Sequence, residues 1–213
     1  MMADVLIRDL GTTYYPDIFQ EMRDYTRARD ITSNDEIWMT EHDSVFTLGQ
    51  AAKKEHVLAP GLIPVYQSDR GGQVTYHGPG QITVYFLLDI KRLSLSIRQM
   101  VHQVESVMIN CLARSGIMAT RLTGAPGVYV DNKKIGALGL RVTRGRTYHG
   151  MSLNVDMDLE PFSRINPCGL LDMEVTQVAS YKLCNIKSVK LDLLREISQV
   201  FDFKLNRLDS QEI

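Results

Sequence analysis

Apolar residues recur along this chain with two distinct periods, and the switch between them marks out its elements. Val5 to Leu10 and Glu36 to Glu41, the latter centred on Ile37-Trp38-Met39, read as strands. Gly11-Thr12-Thr13 breaks the first of these, and Asn34-Asp35 precedes the second. Val45, Phe46 and Leu48 form a short strand ended by Gly49, Pro60-Gly61 marks a turn, and Val65-Tyr66-Gln67 is another brief strand. Ile82 to Leu88 is a solid apolar run. Further strand patterns cover Gly127 to Val130, Lys134 to Val142 and Thr147 to Val155, with Asp131-Asn132 as a hairpin turn between the first two.

Three segments carry the helical period instead. From Tyr15, the residues Ile18, Met22 and Tyr25 share a face. The strongest helix is Ile97 to Arg114, where Ile97, Met100, Val101, Val104, Val107, Met108, Cys111 and Leu112 make an apolar stripe and Gly116 stands just past the end. Cys111 is therefore expected in the core, and His102 in solvent. The last helix spans Val189 to Phe201, with Leu193, Leu194, Ile197, Val200 and Phe201 aligned. Strands and helices interleave without regular βαβ alternation, which predicts one α+β domain over residues 1–213, a mixed β-sheet flanked by helices.

One stretch does not fit a plain strand-and-turn reading. Arg70 to Gln81 (Arg-Gly-Gly-Gln-Val-Thr-Tyr-His-Gly-Pro-Gly-Gln) packs four of the fifteen glycines into twelve residues, directly before the Ile82 strand. Glycine weakens a strand, so a cluster here marks a place where another group approaches the backbone closely. A glycine-rich hairpin connection and a ligand-contacting wall both fit that pattern. The segment lacks the Gly-Lys-Ser/Thr ending of a phosphate loop and the spacing of a dinucleotide loop.

Composition narrows the class. With 44% hydrophobic and 23% charged residues and a formal net charge of −1, the chain is expected to be a soluble globular protein with no nucleic-acid partner. No apolar run suits a bilayer span, and the first residues lack the pattern of a secretory leader, so no membrane association is expected. Cys111, Cys168 and Cys184 cannot all pair and show no metal-ligand spacing, which favours a reducing, cytoplasmic setting.

Three sets of residues are candidates for chemistry. Cys168 sits between a proline and a glycine in Asn166-Pro167-Cys168-Gly169. To act as a nucleophile it needs a cation or base beside it, because a free thiol is only a few per cent thiolate at neutral pH. Lys134 opens the Ile135 to Leu140 strand on the face of Gly136, Leu138 and Leu140, while Lys133 takes the other face. An inward lysine would serve as a base or as a cation for a thiolate; a solvent-exposed hairpin end fits the pattern equally well. Of the histidines His42, His56, His77, His102 and His149, none has the local spacing of a metal pair, and His77 and His149, each before a glycine, suit the walls of a binding site. Lys133, Lys134, Arg141, Arg144 and Arg146 stand against Asp131 alone between Asp131 and Gly150, a basic patch suited to an acidic partner or simply a solvated hairpin face.

Taken together and in order, several segments resemble the octanoyltransferases of lipoate biosynthesis. They are Asp35-Glu36-Ile37-Trp38, Glu41-His42, Val45 to Gly49, Arg70 to Gln81, Ala125 to Val130, Lys133 to Leu140, His149-Gly150 and Arg164 to Gly169, covering roughly residues 30–180. Ser44 departs from the proline common at that turn. The resemblance implies a fold like the catalytic domain of biotin and lipoate protein ligases. It implies an acyltransferase that moves an octanoyl group from octanoyl-acyl carrier protein to a lysine of a lipoyl-bearing domain, in 2-oxoacid dehydrogenase complexes or the glycine cleavage H protein, with no metal and no cofactor. By the same resemblance Cys168 carries the acyl group as a thioester and Lys134 lowers its pKa. Arg70, Gly71, Gly72, Gln73, Val74, Thr75, Tyr76 and His77, together with Ala137, Leu138, Gly139, Gly150, Met151 and Ser152, match the substrate-contacting segments. An ATP-using lipoate ligase on the same fold and an inactive acyl-binding module are the alternatives, and neither gives a nucleophilic cysteine a role.

Overall fold

A computed structural model describes residues 2–166 and 173–208 of the chain. In chain order the strands are β1 (Ala3–Thr13), β2 (Asp35–His42), β3 (Val45–Leu48), β4 (Val65–Gln67), β5 (Val74–His77), β6 (Gln81–Leu87), β7 (Thr120–Leu122), β8 (Ala125–Val130), β9 (Lys133–Thr143), β10 (Arg146–Asn154) and β11 (Phe203–Arg207). The helices are α1 (Tyr15–Ala28), α2 (Ile97–Arg114) and α3 (Ile186–Phe201). Eight strands form one mixed sheet in the order β11-β1-β2-β6-β10-β9-β8-β7, and β4-β3-β5 form a second, small sheet. β1 runs parallel to both β11 and β2, whereas the neighbours from β2 to β7 are antiparallel. This is the α+β architecture the pattern predicts.

Alternation along the central strands sorts the core onto two faces. Ile37, Met39, Val84, Phe86 and Leu153 face α2 and α3, whose Met100, Val104, Val107, Met108, Leu193 and Ile197 cover them. Trp38, Tyr85, Leu87 and Tyr148 point to the other face, under Ile18, Phe19 and Met22 of α1. The α2 start is fixed by a capping box: Ser96 Oγ accepts from the Gln99 N–H, and the Gln99 side chain accepts from the Ser96 N–H. Cys111 is buried in this core, and burial pushes its thiol up to about 12. His102 is exposed, as its place on the helix predicts. Among the described residues no helix is long and apolar enough to cross a membrane.

Four local readings need correction. β1 does not stop at Leu10, because Gly11 adopts φ 64° inside a register shift between Asp9 and Thr12, a bulge that lets the strand continue to Thr13. α3 starts at Ile186 rather than Val189, where the Asn185 side chain accepts from the Lys187 N–H. The chain beyond α3 adds a strand, β11, that pairs with β1. The basic hairpin is not one patch: Lys134 is buried, and Arg146 pairs with Asp89 and donates to the Arg29 carbonyl.

Candidate active site

The glycine block turns out to be a backbone-to-backbone contact. Residues 70–73 lie across β9, where the Gly71 N–H donates to the Leu140 carbonyl at 3.2 Å. A Cβ on Gly139 would stand 2.7 Å from the Gly71 carbonyl oxygen, and one on Gly71 would stand 3.1 Å from that of Leu140. A side chain at Gly139 would block this approach, and one at Gly71 would crowd it. Arg70 clamps the loop to β3: its guanidinium donates to the Thr47 and Gln73 carbonyls at 2.7 Å each, to the Gly71 carbonyl at 2.9 Å and to Thr47 Oγ1 at 3.1 Å.

Beneath the loop opens a cavity of ≈ 510 Å3, within the range of small-molecule sites. Register explains its floor. Gly150 lies between Tyr85 and Gly139 across three strands, and Ser152 between Thr83 and Ala137, so small residues from β10 and β9 line up on one face. Leu138, Leu140, Met151, Val101 and Ile97 supply apolar wall. Ile97 and Val101 belong to the predicted α2 stripe, yet Ile97 is exposed and Val101 only half-buried, because they border this space rather than the core.

Lys134 lines the same cavity and is buried, at 7% exposure, while Lys133 points out and pairs with Glu174 at 2.6 Å. The two-lysine ambiguity is thereby resolved: one is a cavity residue and the other belongs to solvent. Lys134 Nζ donates to the Pro126 carbonyl at 3.4 Å and sits 5.3 Å from the centre of the Tyr129 ring. Its backbone is bridged to the chain beyond, since its N–H donates to the Glu174 carbonyl and its carbonyl accepts from the Thr176 N–H, both at 2.9 Å. On the other side, the Asn166 N–H donates to the His56 carbonyl at 2.8 Å. Cys168 itself lies outside the described residues.

The far wall holds a buried polar network. Gln81 Nε2 donates to the Tyr76 carbonyl and to Asn154 Oδ1, which leaves its Oε1 to accept from His77 Nδ1 at 2.7 Å. His77 is therefore the Nδ1–H tautomer. His42 Nδ1 donates to the Thr13 carbonyl, so its Nε2 accepts from Tyr85 Oη at 2.6 Å. His149 donates Nε2–H to Asp69 Oδ1 at 2.8 Å, and Tyr148 Oη donates to Asp69 Oδ2 at 2.5 Å. Burial, with His42 adding to it, pushes His77 down to about 3, and burial pushes His42 down to about 4. His149 is lowered too, burial outweighing the pull of Asp69. All three rings are held neutral.

Of the residues singled out from sequence, Lys134, Arg70, Gly71, Gly72, Gln73, Val74, Thr75, His77, Ala137, Leu138, Gly139, Gly150, Met151 and Ser152 all border the cavity. Tyr76 does not. Strand alternation in β5 turns its side chain away, where its hydroxyl meets Ser44 at 2.9 Å and its ring packs edge-on against Phe162. Gln81, the last residue of the glycine block, borders the cavity too, whereas sequence reasoning missed Tyr15, Thr83, Tyr85 and Asn154. Gln81, Thr83 and Tyr85 share one face of β6, and their polar groups at alternate positions of an apolar strand were the available signal.

Known proteins resemble this chain in sequence and in fold. Residues 19–198 match the family described as the lipoyl protein ligase A/B catalytic domain. An octanoyltransferase of Pseudomonas entomophila is 54% identical over 83% of both chains. One of Vibrio cholerae is 47% identical over 96% of this chain and 94% of its own. Solved structures share the fold at low identity. A bipartite lipoate protein ligase of Thermoplasma acidophilum superposes with a TM-score of 0.78 at 17% identity, covering 99% of this chain and 89% of that one. The biotin protein ligase of Aquifex aeolicus superposes at 0.54 and 13%, covering 95% and 70%. The chain belongs to the lipoyl protein ligase A/B catalytic domain family and, within it, to the octanoyltransferases, which are acyltransferases.

Proposed function

We propose that this chain, as one catalytic domain over residues 1–213, moves an octanoyl group from octanoyl-acyl carrier protein to a lysine of a lipoyl-bearing domain through a thioester on Cys168. The observation that carries this reading is Lys134, a buried amine on the wall of a largely apolar cavity, with its backbone bridged to the segment that follows Cys168. Phe162 and Val175, on either side of Cys168 in sequence, both border that cavity.

Lys134, as an ammonium ion, favours the Cys168 thiolate. The thiolate attacks the carrier thioester carbonyl, the carrier thiolate departs with the proton of the Lys134 ammonium, and an octanoyl-enzyme thioester beside a neutral Lys134 remains. The acceptor lysine amine then attacks the same carbonyl. Its proton passes to Lys134 in the neutral form, an amide forms and the Cys168 thiolate is released. One thioester is exchanged for another before the amide forms, so the sequence needs no ATP. Residues 70–77, 137–139 and 150–152, apart from the Tyr76 side chain, hold the acyl chain. About six methylenes at roughly 0.8 kcal/mol each give about 5 kcal/mol for holding it. Backbone N–H groups near Leu138-Gly139 or Cys168-Gly169 serve the oxyanion. The acceptors are the lipoyl domains of 2-oxoacid dehydrogenase complexes and the glycine cleavage H protein, and the enzyme works in the cytoplasm, where the free thiols of Cys111 and Cys184 persist.

Intact mass after incubation with octanoyl-carrier protein, without ATP, tests the reading. A hydroxylamine-labile octanoyl adduct on the native chain but absent from Cys168→Ser supports it. Activity that appears only with ATP assigns the chain to ligase chemistry instead, and tight binding without either activity assigns it to acyl binding alone.

A further inference from the structure

A carboxylate outside the cavity wall is joined to Lys134 through a single peptide unit. Glu105 lies on α2, one helical turn beyond Val101 and two beyond Ile97, and is 7% exposed. Its Oε1 accepts from the Gly127 N–H at 3.1 Å, while Oε2 holds Arg121 Nε at 2.9 Å. The carbonyl of that same Pro126–Gly127 peptide accepts from Lys134 Nζ. An acceptor therefore holds the N–H end of the peptide and a donor its C=O end, and both favour one orientation.

Gly127 makes the arrangement specific. Its φ is 134°, and a Cβ there would stand 2.8 Å from the Gly136 carbonyl oxygen and 3.2 Å from Lys134 Cε. Only glycine takes this backbone region without strain, so the placement of the peptide depends on having no side chain at 127. Arg121 fixes Glu105 in turn, and Arg121 is itself held by the His102 carbonyl at 3.0 Å and Ser106 Oγ at 2.7 Å. On the cavity side, the Tyr129 ring faces the Lys134 amine, and Tyr129 Oη donates to the Ala125 carbonyl at 3.1 Å.

We propose that Glu105 is a positioning residue for acyl transfer: by holding the Pro126–Gly127 peptide, it aims the Pro126 carbonyl at Lys134 and so fixes where the ammonium sits. The inference rests on the transfer chemistry proposed above. Reach, rather than charge, is what the role demands. E105D keeps the charge but withdraws the carboxylate by one methylene, and E105Q keeps an acceptor oxygen at full reach without the charge. The pH–rate profile of octanoyl transfer, as kcat/KM, separates these. E105D is expected to move the acidic limb to higher pH, making transfer about five- to tenfold slower near neutral pH with the alkaline plateau retained, while E105Q stays within about twofold of the native profile. The inference is overturned if E105D and E105Q follow the native profile alike, if E105Q is the more impaired of the two, or if E105D slows transfer equally at every pH. A native chain that forms no octanoyl adduct would overturn the transfer reading itself, a result distinct from any of these.

Discussion

Acid should unfold this protein through its buried histidines, and His77 gives the sharpest test. In the unfolded chain a histidine takes up its proton near pH 6.5. In the fold His77 stays neutral down to about 3 and His42 down to about 4. Between those values the unfolded state holds more protons than the native one, so stability is full above about pH 6.5 and falls as the pH drops through the window. Each such histidine removes about 1.4 kcal/mol per pH unit. His42 and His77 together approach about 3 kcal/mol per unit, a large share of a typical stability of 5–15 kcal/mol, and the lowered His149 adds a loss of the same sign. The lowered Asp69 carboxyl adds a loss of the same sign at more acidic pH. His77→Gln removes one of these protons while keeping an amide donor for Gln81. Urea unfolding followed by circular dichroism at about pH 7, 6 and 5 gives the slope of stability against pH. The slope of the variant should be shallower by about 1.4 kcal/mol per unit below about pH 6. Equal slopes would refute the account of His77 as a neutral buried ring.

Other substitutions probe the cavity and its supports. Gly127→Ala should cost roughly 1–3 kcal/mol in thermal denaturation and depress transfer further than the loss of folded protein explains, since its Cβ would press on Gly136 and Lys134. Leu138→Trp should fill space needed by two or three methylenes, weakening octanoyl binding by about ten- to fiftyfold and shifting preference to shorter acyl carriers in a chain-length series. Tyr76→Phe loses only the Ser44 contact, so it should cost about 1 kcal/mol of stability while leaving the KM for the acyl donor unchanged.

Much of the sheet was legible because its central strands are buried on both faces and carry apolar runs such as Ile37-Trp38-Met39 and Val84 to Leu88, and α2 because its stripe is long and ended by Gly116. β11 was missed because five residues, Phe203–Arg207, hold too few apolar positions to show a period; pairing with β1 makes the strand. The glycine block announced a close approach but not its object, which is the protein's own β9 backbone. Lys134 was ambiguous for a physical reason: alternation gives a side chain's face, while burial depends on the segment 174–176 that packs beside it. Glu105 carried no signal at all, since a glutamate on a helix next to an apolar stripe reads as solvated until Gly127 and Arg121 are seen against it.

A single-turnover experiment tests the central claim most directly. Octanoyl-loaded enzyme, freed of carrier protein and nucleotide, is mixed with an apo lipoyl domain, and both species are followed by intact mass. The account predicts that the Cys168 adduct decays at the rate at which octanoyl-lysine appears on the domain, one for one, with Lys134→Ala slowing both alike. An adduct that persists while the domain is acylated, or acylation that proceeds in Cys168→Ser, would contradict it.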